Sequence, residues 1–318
     1  MIVKKRNEYF DNLKGFLIIL VIIGNSLEAA SPKSIDTHFF VLLLYIFHMP
    51  LFVFLSGYFS KLSNRTTKEK VKNTLKIYVC AQIFYNVFNF FIFGMEGTKA
   101  GILLPHWTLW YLLSMIFWYI ISDYIGNYKK WIIGSIIYAM LAGLDNTIGT
   151  IGSASRTIFF LPFFIMGMAF KEEYIHILRK NKLKFLISSI VIIIILWVIN
   201  KDTPIELLFE YTKYTWYFNR PWFPMFLRGF HYISAIIVGI TIMVLMPKKI
   251  GKLNQIGKRS LIMYLTHAGV IKILSKFGVV SYDSMLEVVL STIIIVVTVI
   301  AVTFSYVKTK EKLTMKVR

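Results

Sequence analysis

Eight uncharged stretches divide this sequence: 38–59, 77–93, 107–122, 157–170, 185–199, 229–246, 261–271 and 288–307. A helix needs roughly 20 mostly apolar residues to cross a bilayer. With two further segments starting near Phe16 and Trp131, the pattern predicts ten spans. They run at about 12–30, 38–59, 75–93, 107–125, 131–144, 156–170, 184–199, 228–247, 257–275 and 286–307, and 131–144 is the shortest. The expected fold is an all-α polytopic membrane helix bundle, one integral membrane domain over 1–318. Composition agrees: 57% of residues are apolar and 16% charged, where a soluble chain carries about a quarter charged.

An even number of spans puts both termini on one side, and loop charge tests this. Of the 36 Lys and Arg, nine fall on the far side or at outer span ends: Lys33, Lys99, Arg156, Lys201, Lys213, Arg220, Arg228, Lys272 and Lys276. The other 27 lie on the side of the termini. That bias predicts cytoplasmic termini in a bacterial-type plasma membrane. The net charge of +20 then reads as a topology signal with attraction to anionic lipid. Nucleic-acid binding is excluded, because the basic residues are scattered over many short loops. The single cysteine, Cys80, allows no intrachain disulfide. The N-terminus lacks a clear small-residue cleavage site, and Asp11 and Lys14 interrupt its approach. The longest loop, 200–227, carries Tyr211, Tyr214, Trp216, Tyr217 and Trp222. Such aromatics suit a membrane interface first and a carbohydrate wall second.

Polar residues inside the spans are costly in hydrocarbon and mark candidate sites. At 100° per residue, Asp11, Lys14, Asn25 and Glu28 share one sector of the first helix. Asn25 stands about 15 Å into the membrane, near the middle of a ~30 Å core. His48 in "FHMPLFVFLSGYF" and His267 in "GKRSLIMYLTH" reach the same depth on the second and ninth spans. Pro50 frees a backbone carbonyl beside His48. Two imidazoles, an amide and a carboxylate at one level favour a site over mere helix bonding. The outer half offers His106, Trp107 and Trp110 in "LPHWTLWYLL", and Arg156 in "SASRTIFF". For the tryptophans the aromatic belt is the simpler reading. Arg156 suits an anionic group or a carboxylate partner. No Walker loop, GxGxxG, HExxH or CxxC is present, so no metal and no nucleotide-driven pump is expected.

The stretches "YFDNLKGFLIILVIIGNSLE", "YIFHMPLFVFLSGYF", "LWYLL", "RTIFFLPFFIMG" and "IGKRSLIMYLTH" occur in this order between about residues 6 and 307. Together they resemble the acyltransferase-3 family, nearest its fucose 4-O-acetylase-like branch. The resemblance implies ten membrane helices and transfer of an acyl group, usually acetyl from acetyl-CoA, to a hydroxyl of a sugar or cell-envelope glycan. It implies a basic residue eleven positions before an essential histidine on the first helix. Lys14 fits the first; Asn25 stands where the histidine is expected. A carboxamide fills similar volume and hydrogen-bonds, but it takes no proton near neutral pH.

The expected catalytic set is position 25 with Glu28 orienting it, assisted by His48 and His267. Acetyl-CoA, the acyl donor, is expected along Lys14, Asp11, Lys72 and Lys76. The acceptor is expected past Trp110, Arg156 and His106, and the bilayer is the other partner. Without a base at position 25 the protein is expected to bind acetyl-CoA but turn over poorly. The alternative class is a polytopic transporter or flippase of a glycan or small molecule. The absence of an internal repeat and the order of the motifs weigh against it.

Overall fold

In a computed structural model, residues 7–29, 35–94, 101–145, 148–149, 151–199, 205–210, 222–248 and 251–316 are described. Among them the chain is helical throughout, with no strand. Seven helices are long and apolar enough to cross a membrane, and Trp107–Ser122 is a shorter apolar one. Large apolar side chains stand exposed on the outer faces, among them Phe91 at 78%, Val198 at 70% and Leu286 at 68%. In water such surfaces would drive association, whereas lipid tails solvate them.

The chain forms two compact units: Met1–Val41 with Met246–Arg318, and Leu42–Leu245. The first unit contains α1 (Glu8–Ala29), α11 (Leu253–Lys258), α12 (Ser260–Lys276) and α13 (Met285–Lys316). Glycine sets its closest approach. A Cβ on Gly257 would lie 1.9 Å from the Asp11 carbonyl oxygen, and one on Gly15 would lie 2.3 Å from that of Leu253. Only hydrogen at these positions lets α11 seat against α1, as small residues do in membrane bundles.

The second unit runs from the end of α2 (Ile35–Tyr45) through α3 (His48–Leu62), α4 (Thr67–Phe93), α5 (Trp110–Ser122), α6 (Tyr128–Ala142), α7 (Ala154–Ala169), α8 (Glu173–Lys180) and α9 (Lys182–Ile199) to α10 (Trp222–Leu245). Here Gly57 and Gly167 interlock α3 with α7, each pressed against a backbone carbonyl of the other helix. The expected break near Pro50 is present. Phe47 N–H bonds Leu44 O at 3.2 Å in a tightened turn, and Leu51 N–H bonds Phe47 O at 2.9 Å as the helix resumes. Pro50 then sits in the first turn of α3, where no N–H donor is required.

Several boundaries depart from the sequence reading. α4 starts eight residues before 75, because Thr66 and Glu69 form a capping box that begins the helix outside the apolar run. α10 starts at Trp222, so this aromatic belongs to a helix and not to the 200–227 loop. Tyr211, Tyr214, Trp216 and Tyr217 lie outside the described residues. The short helix α8 was not anticipated, since its polar and apolar residues alternate too tightly for a span.

Candidate active site

In the first unit, α1 and α12 bring Asn25 and His267 together. Asn25 Nδ2 donates to Val21 O at 2.9 Å and lies 3.3 Å from His267 Nε2. His267 is fully buried, and its Nδ1 is 2.7 Å from Tyr264 O and 3.2 Å from Met263 O. A carbonyl can only accept, so Nδ1 carries the proton and neutral His267 presents a lone pair on Nε2. Asn25 donates to that lone pair. Both amide hydrogens of Asn25 are therefore committed. Its hydrogen bonds run to Val21 and His267 and not to Glu28, the orienting partner expected from sequence. Glu28 is half-buried one residue before the end of α1 at Ala29.

Toward the start of α1, Asp11 is fully buried in the first turn, where the helix dipole favours a carboxylate. Lys14 is half-buried one turn further on. Asn12 Nδ2 donates to Lys248 O at 3.0 Å. This end of α1 is thus fixed by polar bonds as well as by the Gly15–Gly257 approach.

The second unit holds His48, Arg156 and Trp110 around one cluster. His48 Nδ1 bonds Leu44 O at 2.7 Å, a carbonyl beside the break in the second span. Tyr45 meets His48 edge-on, centroids 4.7 Å apart, and Phe209 at the same distance. Arg156 Nε donates to Phe209 O at 2.7 Å, and its guanidinium lies 4.8 Å from the Trp110 ring. Trp110 is buried and stacks on Phe160 at 5.2 Å, so it packs inside the unit and is not a belt residue. His106 is committed elsewhere. Its Nε2 donates to Asn86 Oδ1 at 2.8 Å, and Asn89 Nδ2 donates to its Nδ1 at 3.2 Å. With Gln82 bonding Leu104 O and the His106 N–H, the ring pins segment 102–106 to α4. Lys72 and Lys76 stand exposed on the polar start of α4.

Three residues of the second unit were missed from sequence: Glu210, Arg228 and His231. Glu210 is ion-paired with Arg228, their side chains 2% and 4% exposed. Its other oxygen lies 3.1 Å from His231 Nδ1. Glu210 also holds φ 55°, a left-handed conformation that costs a non-glycine residue about 1–3 kcal/mol. Removing one partner of such a buried pair costs about 3–5 kcal/mol. The available signal was an ionisable pair three residues apart at the head of an apolar run, with an acid in the preceding loop.

An acyltransferase domain model matches residues 7–308, nearly the whole chain. The chain belongs to the acyltransferase-3 family. Within the family setting, this acyltransferase is 26% identical over 187 residues to the nodulation protein NolL of Sinorhizobium fredii, a match covering 52% of this chain and 49% of NolL. The chain thus spans about half the length of the curated relative it matches. No solved structure matches it. The membrane helices, the polar first span and the family assignment agree on a membrane acyltransferase.

Proposed function

We propose that this acyltransferase moves an acetyl group from acetyl-CoA to a hydroxyl of a sugar or cell-envelope glycan, with the acyl-transfer centre at Asn25 and His267. The observation that carries the reading is the 3.3 Å approach of Asn25 to an imidazole whose other nitrogen is held by backbone carbonyls. A neutral, oriented Nε2 is what a proton-transfer group needs. The family's implied histidine would stand at position 25, against that Nε2. The fucose 4-O-acetylase-like branch remains the nearest pattern by motif, with Lys14 at the donor side.

The donor enters from the cytoplasmic face, where both termini lie in a bacterial plasma membrane. Lys14, on the same helix as buried Asp11, meets the CoA portion. In the transfer step the acceptor oxygen attacks the thioester carbonyl while the base takes the hydroxyl proton. The carbon–sulfur bond then breaks, and the CoA thiolate recovers that proton. Asn25 has no basic lone pair, and its amide covers the one that His267 offers. The protein with Asn25 therefore binds acetyl-CoA and transfers slowly. The test is purified protein with radiolabelled acetyl-CoA and a panel of envelope glycans. Acceptor-dependent movement of label into glycan supports the reading. Label retained in acetyl-CoA with every acceptor, with Asn25 and with Asn25→His alike, refutes it.

A further inference from the structure

The second unit holds an apolar groove of about 380 Å³ between α3, α6, α7, α8 and α10. Among its described lining residues none is charged, and the Tyr174 hydroxyl is the one polar side-chain group. Protein interiors leave few voids larger than a water molecule, and an apolar cavity of about 150 Å³ already takes a benzene ring. This groove therefore has room for a run of methylenes. Its length fits one leaflet. Along α10 it extends from Ala235 to Met243, about 12 Å at the helical rise. One leaflet supplies half of a ~30 Å hydrocarbon core, about 15 Å. One end of the groove is at Pro50, beside the break before α3, and the other lies against α8.

α8 presents an amphipathic face to this end. Tyr174, Ile177 and Leu178, at i, i+3 and i+4, line the groove, while Glu173, His176, Arg179 and Lys180 fall on the other side of the helix. Tyr174 is 38% exposed and Ile177 56%. A helix with one apolar face and a basic opposite face lies in the plane of a membrane interface. The residues next to the groove lining at this end are basic. Lys129 and Lys130 open α6 just before groove-lining Ile132, and Lys180 follows groove-lining Leu178. All three lysines are exposed. The acids nearby are engaged: Glu172 accepts from the Tyr58 hydroxyl, and Glu173 lies 3.6 Å from Lys171. A zwitterionic headgroup brings its own cation and matches such a rim poorly; an anionic headgroup matches it well. We propose that the groove holds an acyl chain of an anionic phospholipid, with the phosphate at the rim formed by Lys129, Lys130 and Lys180. The site uses none of the residues of the Asn25–His267 centre.

The test is native mass spectrometry of the full chain in detergent micelles, titrated with dioleoyl phosphatidylglycerol or dioleoyl phosphatidylcholine. The thermal unfolding midpoint is the second readout. Phosphatidylglycerol is expected to stay bound in preference to phosphatidylcholine and to raise the midpoint, since a ligand of the folded state stabilises it. Gly239→Leu fills the groove. A Cβ at Gly239 meets only Leu51 Cδ1, at 3.7 Å, an ordinary contact, so the backbone accepts a side chain there. This variant should lose both the retained lipid and the rise in midpoint. Ala169→Phe, on the α7 wall, carries the test if Gly239→Leu does not fold. The triple variant Lys129→Gln, Lys130→Gln, Lys180→Gln should weaken phosphatidylglycerol by about fivefold or more, fivefold being the worth of one basic residue near an anionic surface. Its phosphatidylcholine binding should be unchanged. Equal retention of the two lipids by the unaltered protein overturns the inference, because the groove then meets only bulk lipid. A preference for phosphatidylglycerol that persists in a filled groove, or in the triple variant, overturns it as well.

Discussion

Gly257→Ala tests the packing that holds the N-terminal end of α1. A methyl carbon at this position would stand 1.9 Å from the Asp11 carbonyl oxygen and 2.9 Å from the Gly15 nitrogen. Real Cβ contacts lie beyond 3.0 Å, so α11 has to retreat from α1 by at least 3.0 − 1.9 = 1.1 Å. The opposing atoms are backbone and cannot rotate away. A gap of about 1 Å forfeits a quarter to a half of the dispersion energy of each contact it opens. Overpacking of this kind costs about 1–3 kcal/mol, and a clash with backbone on both sides belongs at the upper end, about 3 kcal/mol. The assay is unfolding in mixed detergent–SDS micelles, followed by tryptophan fluorescence. Gly134→Ala is the control, because a Cβ on Gly134 in α6 meets nothing within 4 Å. It should be neutral or slightly stabilising, alanine being the better helix former. Equal stability for the two variants would refute the close helix approach.

Three further perturbations have defined outcomes. Lys14→Ala should weaken acetyl-CoA binding without loss of fold, measured by equilibrium dialysis and circular dichroism; unchanged affinity removes Lys14 from the donor path. In a Cys80→Ser background, Thr98→Cys and Ile151→Cys should react with an impermeant thiol reagent applied to intact cells, while Lys68→Cys, Lys180→Cys and Lys252→Cys should not. The reverse pattern would invert the topology. His267→Ala should lower transfer by the Asn25→His variant by about 10²–10⁴-fold, the usual contribution of a positioned proton-transfer group; an unaffected rate would leave His267 a packing residue.

The helices were legible because membrane burial writes itself into uncharged runs, and the break at Pro50 was legible because proline lacks a donor. Boundaries were less so. α4 begins through a cap at Thr66 that hydropathy does not register, and α13 extends past 307 to Lys316 on charged residues that leave the apolar pattern. The meeting of Asn25 and His267 followed from equal depth on two spans. The orienting partner did not follow: helical periodicity put Glu28 near Asn25, whereas the amide turns to Val21 O and to α12. The Glu210–Arg228–His231 cluster was invisible for a different reason. A loop carboxylate pairs with a helix 18 and 21 residues later through its own strained turn, and no period in the sequence encodes that contact.

The most direct measurement compares the acetyl-transfer rate of the Asn25 protein with that of Asn25→His across pH, at saturating acetyl-CoA and one accepted glycan. A histidine at this position supplies the missing base beside His267. The account predicts a rate higher by about 10²–10⁴-fold, rising with pH through an imidazole range near about 6.5. A fast Asn25 protein, with neither rate nor pH profile altered by Asn25→His, would contradict it and put the transfer centre elsewhere in the chain.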